Sequence, residues 1–217
     1  MHRILLLGFF YALLVVPCHA QKFDFNPYID SSKLCLRLNT LDLLDVLDGN
    51  ISIGGEYRFN KTWAITMDAA YIFYSAHFNN CKTAHGVILR PALRLYTGRL
   101  KDQFFDVQLH YKEVMYKIDD WIGRDVVNNV PAYEQKTLFR YYKKNIGIQI
   151  IRGQQKYISS RCRLEIYLGV GLRFRWQHPY QEPNSIYRPA NADLTSTKSE
   201  SVLPAFPAGI RLVYAIK

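Results

Sequence analysis

The residues best suited to chemistry fall into three small groups. His77, Cys81 and His85 recur every four positions within SAHFNNCKTAHG. Imidazole and thiolate are ligands for a soft divalent ion, so this trio is a weak metal candidate with no obvious fourth ligand. Asp106 and His110 share one face of an extended segment. Four residues along a strand leaves them about 13 Å apart, too far for a direct His–Asp pair. His178 and Glu182 sit close in sequence and could supply a base, but no nucleophile accompanies them. A barrel enzyme that trims or acylates lipid would need a Ser or Glu beside a His on its outer wall, and the alternation places no His there. The sequence calls for no catalytic residue and no cofactor.

Those residues belong to segments with a strict period of two. In ISIGGEYRFNKTWAITMDAAYIF (51–73), one set holds Ile51, Ile53, Gly55, Tyr57, Phe59, Trp63, Ile65, Met67, Ala69, Tyr71 and Phe73. The other set holds Ser52, Glu56, Arg58, Thr66 and Asp68. Such alternation marks strands with a different environment on each face. It continues along the chain in eight segments, about 33–41, 51–59, 63–74, 87–97, 104–117, 139–152, 162–176 and 205–217. No segment has a helical period. Short connections at Asn60-Lys61-Thr62, GRLKDQ and GQQKYISSR alternate with long ones, the third of about twenty residues from Ile118 and the fourth of nearly thirty from Gln177. The spacing predicts an all-β, eight-stranded antiparallel up-and-down transmembrane β-barrel with short periplasmic turns and long outer loops.

A water-soluble up-and-down barrel packs an apolar interior and shows charge outward. Here the large aliphatics of eight strands would overfill so small an interior, so they are expected to face lipid. The lumen is then lined by Arg37, Glu56, Arg58, Asp68, Arg90, Arg94, Asp106, His110, Glu165, Arg173 and Arg211, paired across the interior as a plug. Their excess of arginine over acid hints at an anion or a narrow anion leak. Phe59, Trp63, Phe105 and Tyr214 should form an aromatic girdle at the turn side, and Tyr71, Phe73, Tyr111, Phe174 and Trp176 another at the loop side. Pro91, in mid-strand, calls for a bulge or an accommodating water. Trp121, Ile122, Val126, Val127, Tyr133, Tyr180, Ile186, Tyr187 and Leu194 are expected in outer loops, available to a partner.

The chain opens MHRILLLGFFYALLVVPCHAQ, a basic start, an apolar run from Ile4 to Val16 and small residues before Gln21. Residues 1–20 are therefore expected to be a signal peptide, 21–32 a periplasmic lead and 33–217 the outer-membrane barrel, with both termini periplasmic. Leader removal takes Arg3 and no acid, so the formal charge of +10 becomes +9, suited to anionic outer-membrane lipid and lipopolysaccharide. Export argues against nucleic acid as a partner. Three cysteines, Cys35, Cys81 and Cys162, remain after the leader, an odd number that argues against a disulfide framework.

The segment LCLRLNTLDLLDVLDGNISIGGEYRFNKTWAITMDAAY resembles the start of a family of small Bacteroidetes outer-membrane proteins of unknown function. A first strand ends near Asn39, a strand with Gly54-Gly55-Glu56 follows, and a short turn leads to Trp63. RPALRLY, FFDVQLHY, YLGVGLRFRW and PAGIRLVYAIK also resemble it, whereas the terminal Lys217 departs from the aromatic end of many outer-membrane barrels. The resemblance implies a barrel, an outer-membrane location and a role near surface filaments or secretion components, and it supplies no catalytic residues. The expected function is a non-enzymatic membrane scaffold or assembly partner of a surface structure. The alternatives are a small lipid-modifying enzyme and a narrow anion-leaky channel.

Overall fold

The computed structural model describes residues 32–41, 48–78, 80–98, 101–128, 130–179, 184–187 and 200–216. The leader, nearly all of the lead, Glu182, Tyr180 and Leu194 lie outside the described residues. The strands are β1 (Leu34–Asn39), β2 (Asn50–Arg58), β3 (Trp63–Ile72), β4 (Cys81–Thr97), β5 (Gln103–Arg124), β6 (Tyr133–Tyr157), β7 (Cys162–Pro179), β8 (Glu200–Ala205) and β9 (Ala208–Ala215). All pairings are antiparallel, and the sheet closes into a ring through β6–β7, β7–β9 and β9–β1.

The expected last strand, 205–217, is thus two strands separated by Phe206-Pro207, and it starts earlier, at Glu200. Both halves keep one register on β7, since Gly171 faces Ala205 and Leu168 faces Ala208. They occupy a single place in the ring, which has eight strand positions. The row Leu38, Ile53, Ala69, Leu89, Tyr111, Ile146, Phe174 and Val202 climbs round the ring. Continued at the β1–β9 register, it returns to the line of β1 ten residues beyond its start. Eight positions with that stagger, at a rise of about 3.3 Å and a spacing of about 4.8 Å, set the strands about 40° from the ring axis.

Three expectations are corrected. β4 begins at Cys81 rather than 87, β5 runs to Arg124 and β6 starts at Tyr133, so the third long connection spans only 125–132. Trp121, Ile122 and Tyr133 are strand residues, and Ile122 is buried. Tyr187 is buried and donates to Asp120 at 3.0 Å, while Ile186 bridges to Gly123. Pro91 makes no bulge: pairing to β5 lapses over Arg90 and Pro91 and resumes at Ala92–Gln108 in the same register. The register shift in β4 lies instead between Cys81 and Thr83.

Short connections are closed by their own polar side chains. Asn60 Oδ1 accepts from the N–H groups of Thr62 and Trp63, both at 2.8 Å. Ser159 Oγ accepts from those of Arg161 and Cys162. Side-chain-to-backbone bonds of this kind fix tight turns. At the other end β4–β7 stand well above β1–β3, because β3 ends at Ile72 opposite Gly86, five residues into β4.

Candidate functional site

At mid-height and below, inward positions carry charge. Arg94 makes a two-bond fork to Asp106, Nε to Oδ1 at 2.7 Å and Nη2 to Oδ2 at 2.8 Å. Its Nη1 donates to Glu165 at 2.6 Å and to Glu56 at 3.1 Å. Arg163 Nη2 donates to both oxygens of Glu56 at 2.8 Å, and its Nε to Glu165 at 3.2 Å. Arg58 Nε and the Tyr96 hydroxyl add bonds to Glu56 Oε1 at 2.8 and 2.5 Å. Arg211 donates to Asn39 at 2.8 Å and lies 3.7–3.8 Å from Asp68, Asp106 and Glu165. Arg37 meets Asp68 at 3.4 Å. Arg94 lies over Phe104, Arg211 over Tyr167 and Arg58 over Tyr96, with 3.7–4.3 Å between guanidinium carbon and ring centre.

The sequence-derived lumen residues divide unevenly. Arg37, Glu56, Arg58, Asp68, Arg94, Asp106, Glu165 and Arg211 are all buried and meet in this one network. Arg163, two residues from Glu165 on the same inward face of β7, is as central as any of them. Tyr96 was missed, because a tyrosine beside arginines reads as an aromatic rather than as a carboxylate's hydrogen-bond donor. Arg90 pairs opposite Asp68 in the β3–β4 ladder. His110 is buried higher up, where the charged groups facing it are Arg173, Arg90 and Lys112. With its amide oxygen turned to Arg173, Gln149 accepts from that guanidinium at 3.1 and 3.2 Å, and its amide nitrogen then faces the Gln108 side chain at 3.1 Å.

Above this layer the interior changes character. Ile72, Phe78, Val114, Tyr116, Ile118, Ile122, Phe139, Tyr141 and Tyr187 form an apolar core. Asp48 reaches into it from the connection between β1 and β2, where Lys112 Nζ at 2.6 Å and the Tyr116 hydroxyl at 3.2 Å bond to it. Nothing in the sequence reading anticipated this upper core, which closes the ring from above.

The metal candidates are not brought together. Cys81 and His85 lie in β4 and not in a loop. His85 Nδ1 bonds the Tyr71 hydroxyl at 2.8 Å, Cys81 Sγ contacts the Thr83 carbonyl, and His77 Nε2 faces Lys143 Nζ at 3.2 Å. Burial, reinforced by the positive Lys143, holds the His77 imidazole down to about 4. No group of three or more His, Cys, Asp or Glu among the described residues is placed to hold a metal ion.

Outward positions hold the aliphatics and the girdle residues. Phe59, Trp63, Phe105, Tyr214, Tyr71, Phe73 and Phe174 are exposed, and Tyr111 and Trp176 half-buried. Two histidines also face outward, His85 in β4 and His178 in β7, which corrects the expectation that the outer wall carries none. Cys35, Cys81 and Cys162 are free thiols, the first buried inside the ring.

A family model described as "Protein of unknown function (DUF3575)" matches residues 11–216. No curated protein and no solved structure matches the chain.

Proposed function

The chain belongs to the DUF3575 family, and from that premise we propose that it is a small outer-membrane β-barrel of the Bacteroidetes type. In this reading it is exported by a leader over residues 1–20, works as a non-enzymatic scaffold or assembly partner at the cell surface, and has a lumen plugged by charge pairs. One observation carries it: the polarity of the two faces reverses part-way along the same strands. On β5, outward Phe105, Val107, Leu109 and Tyr111 stand against inward Asp106, Gln108, His110 and Lys112. Beyond them, outward Glu113, Lys117 and Asp119, with Met115 and Trp121 among them, stand against inward Val114, Tyr116, Ile118 and Ile122. On β6, outward Ile146, Ile148 and Ile150 give way to Lys144, Tyr142, Arg140 and Leu138, with Phe139 and Tyr141 inside above Lys143 and Asn145.

A protein in water throughout would have no cause to turn itself inside out. A wall that leaves hydrocarbon for water does, because each medium selects the side chains that face it. Trp63 and Tyr71, eight residues apart on tilted β3, separate the two aromatic levels by about 20 Å, close to the apolar band of such barrels. From the level of Tyr111, β5 continues thirteen residues to Arg124. That carries the β5–β6 hairpin about 30 Å further out, a reach that supports a role in contacting surface components.

Cell fractionation with gel mobility before and after boiling tests this. The expected result is an outer-membrane fraction, solubility only with detergent, and a mobility shift on heating. A protein that stays soluble without detergent and runs identically after boiling overturns the reading.

A further inference from the structure

The outer wall at the top of the aliphatic band is ordered in rows across β4, β5, β6 and β7. The lowest is apolar and aromatic: Leu89, Tyr111, Ile146 and Phe174. Next come Val87, Glu113, Lys144 and Trp176, then His85, Met115, Tyr142 and His178. Above them Thr83, Lys117 and Arg140 stand side by side. Glu113, Tyr142, Lys144, Ile146, Trp176 and His178 line a shallow depression that runs from the aliphatic band towards this upper row.

Lys117 and Arg140 are directly opposed on neighbouring strands, both exposed and both pointing out. Like charges in that position destabilise a ladder. The nearest acid on the same face of β5, Asp119, is engaged by Lys82 at 3.7 Å and Lys136 at 4.0 Å. Glu113 lies two rows down, accepts from the Tyr111 hydroxyl and faces Lys144 across the ladder. Among the described residues no carboxylate pairs with Lys117 or Arg140. An anion placed between them would turn a repulsive pair into a clamp. A guanidinium and an ammonium together suit phosphate, the first by its fork and the second as a point charge. Thr83 brings a hydroxyl alongside.

We infer that Lys117, Arg140 and Thr83 hold the phosphate of a phosphorylated lipid of the outer leaflet, whose chains lie down the depression past Trp176 and Tyr142 on to Ile146. The inference rests on the membrane reading above and names a specific lipid site within it. Over the four rows, cations at the top give way to amphipathic aromatics and then, past the Glu113–Lys144 pair, to aliphatics, which is the order of a lipid's own headgroup, interface and chains.

The test uses the full chain purified in detergent, with bisphosphorylated lipid A and its phosphate-free counterpart as probes, read by native mass spectrometry. The wild type should retain the phosphorylated lipid at least tenfold more strongly. The Lys117→Gln/Arg140→Gln protein should lose that preference while still binding the phosphate-free lipid. Equal retention of the two lipids by the wild type overturns the site without any variant, as does an undiminished preference in the double variant. Heat-dependent gel mobility is read on the same samples. A wild type that shows the shift but no headgroup preference sinks the lipid site alone. A wild type that is soluble and unshifted sinks the membrane reading and the site with it.

Discussion

Glu56 is the residue on which the interior turns. Its two oxygens take bonds from Arg58, Arg94, Arg163 and Tyr96, and it is buried. Burying a carboxylate costs several kcal/mol, recovered only when its partners are complete, and the same holds for each guanidinium. Glu56→Gln keeps the volume and removes the charge that three arginines share. It should cost about 3–5 kcal/mol, the penalty for leaving buried charge uncompensated. Tyr96→Phe removes one neutral donor and should cost about 1 kcal/mol. Urea unfolding in detergent, followed by tryptophan fluorescence, measures both. If Glu56→Gln costs no more than Tyr96→Phe, the network is not what closes the interior. The carboxylates and most of the arginines were legible in the sequence, because in a half-polar strand every second charge must share a face. Which acid would be central was not, since that depends on the stagger of all the strands round the ring and not on the alternation within one.

At the scale of the strand, the period of two gave the segments and missed several of their ends. Ile118, Ile122, Phe139 and Tyr141 are inward and apolar, whereas the inward set lower down is charged. An eye following the apolar stripe as the outer face loses it where the stripe changes sides, and the strand then reads as a loop. The same physics fixes how closely strands approach. A Cβ on Gly171 would meet the backbone carbonyl of Ile148 at 2.3 Å and Gln149 Cα at 2.8 Å, so β6 and β7 pass there only because glycine leaves the space. A Cβ on Gly55 meets nothing closer than 3.9 Å. Gly171→Val should abolish the folded form or lower its far-UV circular dichroism melting point by more than 10 °C, a core-overpacking effect. Gly55→Ala should leave the melting point within a few degrees. Equal tolerance of the two would mean that β6 and β7 can separate without loss.

For the whole molecule the two ends of the ring are unequal in a way that sets direction. One end has connections of four or five residues, 59–62, 98–102 and 158–161. The other carries the apolar cap, the raised β4–β7 wall and the β5–β6 hairpin, whose tip exposes Val127 at 70% and Val130 at 66%. A barrel inserted from the periplasm keeps its tight turns on that side and passes its longer connections outward. The lipid clamp lies on the same side as the hairpin, which agrees with phosphorylated lipid in the outer leaflet. Direction can be read by single cysteines in a chain whose Cys35, Cys81 and Cys162 are replaced by serine. Val127→Cys should react with a membrane-impermeant maleimide on intact cells, and Lys61→Cys, in the Asn60–Thr62 turn, only after the cells are broken. Labelling of Lys61→Cys on intact cells would invert the molecule. The polarity reversal would then mark the inner interface, and Lys117 and Arg140 would face the periplasmic leaflet, where an outer-leaflet phosphate could not reach them.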